Sequence, residues 1–150
     1  MPFGDKLRAV PINYRCDAEL RCTIIVWDGD VTPEEWSRHL DRMTSDPAFP
    51  PGPLLLSDLS TAGEAPRIST ETIDEMAHRW RGHAEGLGPL QMAIVPNSSW
   101  AKAKQFEGEI SDTIRRIMVF NEPWTACAWL GLDADTVRPI IAELRAGLRS

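Results

Sequence analysis

Short apolar runs alternate with amphipathic stretches along most of the chain. Residues 12–17 (INYRCD) and 21–27 (RCTIIVW) read as two strands joined by the tight Ala18-Glu19-Leu20 connection. In the second strand Ile24, Ile25 and Val26 run together without alternation, which marks a strand covered on both faces. Asp28-Gly29-Asp30 makes a turn, and Thr32-Pro33-Glu34-Glu35 opens a helix. A threonine N-cap, a proline at the first helical position and two acids at the positive end of the helix dipole all favour that start. Trp36, Leu40 and Met43 form the apolar stripe of this helix, which ends near Asp46-Pro47.

A third strand is signalled by the run Leu54 to Leu56, and a helix follows from about Ser69 to Gly86. Ile73, Met76, Ala77, Trp80 and Ala84 form its buried stripe, and Gly86 and Gly88-Pro89 stop it. Residues 90–96 (LQMAIVP) are a fourth strand. Asn97, Ser98 or Ser99 then caps a helix holding Trp100, Ala103, Phe106 and Ile110. Residues 115–120 (RRIMVF) read as the last strand. Glu122-Pro123-Trp124 opens a short helix ended by Gly131, and Asp133 to Leu148 is amphipathic, with Val137, Ile140, Ile141, Leu144 and Leu148 on one side.

The order β-β-α-β-α-β-α-β-α-α predicts an α/β fold. Its first two strands are antiparallel because their connection is short, and the later ones are parallel because helices separate them. The expectation is a mixed sheet of about five strands flanked by helices. The PAFPPGP run is a stiff connector rather than a boundary, since neither half beside it closes a core alone. Residues 1–150 are read as one domain with the helix 133–148 appended. That helix either caps the sheet or makes a homodimer seam through Ile140, Leu144 and Leu148.

Composition narrows the partners. A net charge of −6 and a pI near 5.0 argue against nucleic acid and anionic membranes. No apolar run approaches the roughly 20 residues needed to span a bilayer. The opening MPFGDKLRAV holds too short an apolar segment for a secretory signal, so the cytoplasm is the expected compartment. Cys16 and Cys22 flank the first turn, where a hairpin would let them face each other, and Cys127 is far away. Three cysteines suit buried or idle thiols better than a disulfide framework. The unusual count is six tryptophans against one tyrosine, spread over the elements as core and interface anchors.

The candidate chemistry gathers after the third strand. In an open α/β sheet, ligands and partners meet the loops at the carboxyl ends of the strands. That loop carries Ser57, Asp58, Ser60, Thr61, Ser69 and Thr70, which are read as a contact surface for a protein partner. Ser69 and Thr70 are in the simplest reading helix caps. Asp28, Asp30 and Asp58 are explained by turn chemistry before a metal or base cluster. His78 and His83, five apart on a helix, face different ways, and His39 stands alone, so no metal is expected. No GxSxG elbow, phosphate-binding loop or acid–base pair is visible, so a non-enzymatic protein without a cofactor is the expectation. Arg115-Arg116 reads as a guard against edge pairing. An alternative makes the protein a carrier or sensor of an apolar small molecule or lipid. In that reading Met76, Trp80, Trp100, Phe106, Trp124 and Trp129, with Met118, line a pocket between helices and sheet.

Three segments together resemble the SpoIIAA-like group, small proteins related to STAS domains (sulfate transporters and anti-sigma-factor antagonists). They are IIVWDGDVTPEEWSRHLDRMTSDPAFPPGPLLLSDLS, LQMAIVPNSSWAKAKQFEGEI and MVFNEPWTACAWLG, within residues 12–131. The resemblance implies a sheet flanked by helices, no cofactor, and a regulatory or protein-binding role. In anti-sigma-factor antagonists a serine in an Asp-Ser-Ser/Thr-Gly motif is phosphorylated by a kinase partner. Ser69 and Thr70 are the nearest matches by position, with Ile68 in place of the Asp and Glu71 in place of the Gly. A phosphate there would stand beside the like charges of Glu71 and Asp74.

Overall fold

The strands assemble strictly in chain order. A computed structural model describes residues 11–28, 31–60, 70–96, 100–114 and 116–149. Gly29, Asp30, Thr61, Ser69, the cap candidates Asn97, Ser98 and Ser99, and Arg115 lie outside the described residues. The elements are β1 (Ile12–Asp17), β2 (Cys22–Trp27), α1 (Pro33–Thr44), β3 (Leu54–Asp58), α2 (Thr70–Leu87), β4 (Gln91–Val95), α3 (Trp100–Ile110), β5 (Arg116–Val119), α4 (Pro123–Leu130) and α5 (Ala134–Arg149). The sheet order is β1-β2-β3-β4-β5, with β1 antiparallel to β2 and the remaining pairs parallel. This is the mixed five-stranded α/β architecture that the alternating pattern predicts.

Three successive crossovers, β2-α1-β3, β3-α2-β4 and β4-α3-β5, each step one strand in the same direction. Crossovers of one hand stepping one way put their helices on one face of the sheet. Accordingly Trp36, Leu40, Met43, Ile73, Met76, Trp80, Phe106 and Ile110 pack with Ile25, Leu55, Met92, Ile94, Ile117 and Val119. The opposite face, carrying Ile24, Val26, Leu56, Ala93 and Val95, is covered by α4 and α5. Ile140, Leu144 and Leu148 are buried there, so the last helix caps the sheet in the single chain.

Local chemistry sets the element ends. Thr32 and Glu35 close a capping box at the head of α1: the Glu35 N–H donates to Thr32 Oγ1 at 3.1 Å, and the Thr32 N–H donates to Glu35 Oε1 at 3.0 Å. The PAFPPGP connector is pinned at Gly52, whose N–H donates to the Leu87 carbonyl at 2.7 Å. Gly52 has φ +61, and a Cβ there would stand 3.0 Å from the Pro89 carbonyl oxygen, so only glycine fits without a shift.

The cysteine pairing is corrected by the register. Cys16 pairs with Thr23, and Cys22 pairs with Asp17. Alternation then puts Cys22 on the α5 face and Cys16 on the α1 face, too poorly placed to bridge. All three cysteines are free thiols. Burial pushes Cys22 up to about 12 and Cys127 up to about 11, so neither is a ready nucleophile.

A buried charged contact joins the sheet to α5, beside the exposed Arg15–Glu143 pair at 3.3 Å. Asp58 ends β3 on the α5 face, 1% exposed, and Arg145 Nη2 donates to its Oδ2 at 3.1 Å. Its Oδ1 accepts the Ser60 N–H at 2.9 Å and so shapes the start of the following loop. Removing one partner of such a pair leaves an uncompensated buried charge, which costs more than the pair contributes. Arg145→Met is therefore expected to lower the unfolding free energy by about 3 kcal/mol. Urea denaturation checks this, and a loss below about 1 kcal/mol would show that the buried pair does not join the layers in this way.

Candidate functional site

One row of the sheet breaks its own apolar pattern. Across the strands, Tyr14 pairs with Ile25, Ile25 with Ser57, Ser57 with Ile94, and Ile94 with Val119. A hydroxyl thus stands between two isoleucines on the face that α1, α2 and α3 cover. Above it the helices do not close fully. They leave a concavity holding about 730 Å³ of empty space when its open mouth is included, of which the centre of a water molecule reaches about 80 Å³.

The floor comes from Ile25, Trp27, Ser57, Leu59, Met92 and Ile94, most of them at the carboxyl ends of parallel strands. Helix α1 supplies Trp36, His39, Leu40 and Met43, and α2 supplies Ile73, Met76 and Trp80. Lys102, Ala103 and Phe106 of α3 complete the wall. Three indoles and three thioethers give a lining that is large, apolar and adaptable in shape.

Among the described residues, three polar side chains reach this lining: Ser57, His39 and Lys102. His39 is set by its neighbour. Its ring meets Tyr14 edge to face with centroids 5.7 Å apart, and the Tyr14 hydroxyl donates to Asp46 Oδ2 at 2.8 Å. Burial, helped by the nearby Arg42 charge, pushes the His39 imidazole down to about 4. At neutral pH it is an uncharged ring with one N–H donor and one acceptor nitrogen. Among the described residues, no hydrogen bond is made to the His39 ring or to the Ser57 hydroxyl.

The residues expected at this site divide three ways. Met76, Trp80 and Phe106 do line the concavity. Trp124 and Trp129 do not: they pack on the opposite face, where Trp129 lies against Phe120 and Arg138 stacks over Trp124. The physical reason is that α4 and α5 follow the last strand, so no crossover holds them on the first face. Trp100 is 41% exposed at the head of α3, and Met118 is 43% exposed on the edge strand β5; neither lines the site. Trp27 and Trp36 take their place. Both were signalled, Trp27 by sharing the face of Ile25 two residues before it and Trp36 by its spacing to Leu40 and Met43.

The loop residues also separate. Ser57 faces the concavity, whereas Asp58, the next residue of the strand, points to the other face and is occupied by Arg145. Asp58 is thus a structural residue and not part of an open contact surface. Ser60 is half-buried beside it, and Thr70 is exposed at the head of α2; Thr61 and Ser69 lie outside the described residues. Of the other histidines, His83 bridges α2 to α1 through Asp41 Oδ1 at 3.2 Å and Thr44 Oγ1 at 3.3 Å, and His78 is exposed. No three His, Cys, Asp or Glu side chains converge as a metal site among the described residues. No helix among them is long and apolar enough to cross a membrane.

The chain matches no protein-family model, and no curated protein matches it in sequence.

His39 makes the site legible to pH. Folded, it stays neutral down to about pH 4, whereas in the unfolded chain it binds a proton below about 6.5. Between those values the unfolded state carries the extra proton, so stability falls as pH falls from about 6.5 towards 4. His39→Leu is expected to flatten that part of the stability profile in urea unfolding run between pH 7 and pH 4. An unchanged slope would place His39 in solvent instead of the wall.

Proposed function

We propose that the protein binds a compact apolar small molecule in the concavity between the sheet and helices α1, α2 and α3. The observation that carries this reading is an apolar, indole-lined hollow at the carboxyl ends of parallel strands, with a few polar groups on its wall. Such hollows are the usual ligand sites of open α/β sheets. Volume decides between ligand classes. A single water needs roughly 10–15 Å³ of this kind of space, so 80 Å³ corresponds to a handful of waters. A ligand with a ring or a short chain fits as the walls stand, whereas a long-chain lipid needs the helices to part.

Ala103 is the smallest side chain of the α3 wall and is half-buried, so enlarging it fills the hollow from one side. Ala103→Phe is expected to abolish the quenching or shift of tryptophan emission that apolar ligands produce in the native protein, while the circular dichroism spectrum is retained. Native mass spectrometry of protein from its own host is expected to show one discrete small molecule on the native chain and none on this variant. Equal ligand binding by both proteins would refute the site.

A second reading, contact with a protein partner at the loop after β3, is favoured by one observation. Gln105 Nε2, midway along α3, donates to the Thr70 carbonyl at 3.4 Å, which ties the head of α2 to the side of α3. Exposed Thr70 and exposed Trp100 begin helices that follow adjacent parallel strands, so an apolar anchor and a hydroxyl lie at the same end of the sheet. This is the place where a regulatory module of the STAS-like kind would meet its partner. A protein recovered with the native chain from host lysate is expected to be lost with the double variant Thr70→Ala, Trp100→Ala. Undiminished recovery would remove this surface from consideration.

A further inference from the structure

The Ser57 hydroxyl and the His39 ring both reach the lining of the concavity, and neither makes a hydrogen bond among the described residues. Comparable groups nearby are satisfied. The Tyr14 hydroxyl donates to Asp46, His83 meets Asp41 and Thr44, and the Thr44 hydroxyl donates to the Leu40 carbonyl at 2.7 Å. Lys102 of the same wall has an interaction partner of its own. Among the described residues of the wall, a hydroxyl and an imidazole are therefore the polar groups left for a ligand. Both are uncharged at neutral pH, the imidazole because it is buried.

The sheet relates their positions. Ser57 is two strands from Tyr14 in one row, with Ile25 between them, so it stands about 10 Å across the sheet from Tyr14. His39 lies against Tyr14, with ring centroids 5.7 Å apart. The hydroxyl is thus on the floor between Ile25 and Ile94, and the imidazole is on the α1 wall towards the β1 end of the same row.

This pair discriminates between kinds of ligand. A wholly apolar molecule covers the Ser57 hydroxyl and returns no hydrogen bond, which leaves a desolvated polar group. An ammonium or a carboxylate returns a bond but gives up its own hydration among indoles, thioethers and isoleucines, where the two waiting groups carry no charge. An uncharged hydroxyl donates and accepts, as do Ser57 and a neutral imidazole, so it meets either of them in either direction. The apolar remainder of such a ligand is left for the indoles.

Resting on the reading of the concavity as a ligand site, we infer that its ligand class is a compact uncharged alcohol or phenol. Its hydroxyl bonds Ser57 on the floor, His39 is the second neutral partner on the α1 wall, and its ring or short chain lies against Trp27, Trp36 and Trp80. The class differs from a hydrocarbon by needing the hydroxyl, and from a fatty acid or an amine by carrying no charge.

The test titrates four probes with one phenyl body, 2-phenylethanol, ethylbenzene, phenylacetate and 2-phenylethylamine, into the intact protein at pH 7.5, read by calorimetry and tryptophan emission. The alcohol is expected to bind at least as tightly as ethylbenzene, whereas a hollow without hydrogen-bonding groups favours the hydrocarbon. It is also expected to bind at least about tenfold more tightly than either ion. Ser57→Ala is expected to weaken the alcohol about tenfold and to tighten ethylbenzene, which then no longer covers an unpaired hydroxyl. Tighter binding of ethylbenzene than of the alcohol by the native protein, or an ion within that factor of the alcohol, overturns the inference and leaves the apolar site standing. So does a Ser57→Ala variant that keeps the native affinity for the alcohol or shifts alcohol and hydrocarbon alike. No binding of the four probes, nor of octan-1-ol, overturns the ligand site itself. The native-protein comparison decides the matter even if the variant fails to fold.

Discussion

Everything else in the molecule depends on the direction in which the strands advance. From β2 to β5 the chain moves one place at a time across the sheet, always the same way, and each step uses one helix. Crossovers of one hand cannot place those helices on alternate faces under that ordering. Three helices therefore share a face, and the chain must find a separate cover for the other. Helices α4 and α5 are that cover, with Val137, Ile140, Ile141 and Leu144 laid over Cys22, Ile24, Val26 and Leu56. The buried Asp58–Arg145 pair joins this cover to the central strand, in the strand position next to the hydroxyl that faces the opposite layer.

That division explains how a single strand carries a buried, paired carboxylate on one face and a hydroxyl at the hollow on the other. Ser57 and Asp58 are adjacent, so the pleat sends them to opposite faces. Asp58 is buried, paired with a guanidinium and bonded to a loop N–H, and so it fixes where the loop leaves the sheet. Ser57 projects between Ile25 and Ile94 into the space the three helices leave. The fixed carboxylate gives the hydroxyl a fixed position. A site on a strand held in this way is more precise than one on the loop beyond it.

Elements and layers were legible in the chain because their signals are local. Thr32-Pro33-Glu34-Glu35 announces α1 through capping chemistry that the structure realises atom by atom, and Gly131 ends α4 with φ +76. The membership of the site was legible only in part, because it depends on which helix faces which side of the sheet. Helical spacing places Met76 and Trp80 on one stripe, and they do meet Phe106 at the hollow. The same kind of spacing says nothing about whether Trp124 and Trp129 join them. That follows from topology, since a helix after the last strand has no crossover to bind it to the first face. The mutual position of Cys16 and Cys22 was likewise hidden until the register was known, because a shift of one residue exchanges the faces.

The hollow is best understood as a stability cost that the fold sustains. At about 24 cal/mol per Å³, 80 Å³ of unfilled apolar space forfeits at most about 2 kcal/mol of packing. Larger side chains on the wall would recover some of it, and the lining offers simple places for them, Ala103 on α3 above all. The wall also holds two polar groups where apolar ones would pack without desolvation: Ser57 in a row of isoleucine, and His39 with an imidazole kept neutral by burial. A core optimised for cohesion alone would have neither the space nor these groups. Space and polar groups thus occur together at the carboxyl ends of the strands, on the face that carries three tryptophans. The same reasoning accounts for the contrast with the opposite layer. There Val26, Ala93, Val95, Ala126 and Val137 meet without exposure, and the buried Asp58 carboxylate is paired. One face of the sheet is thus closed, and the other is left partly open.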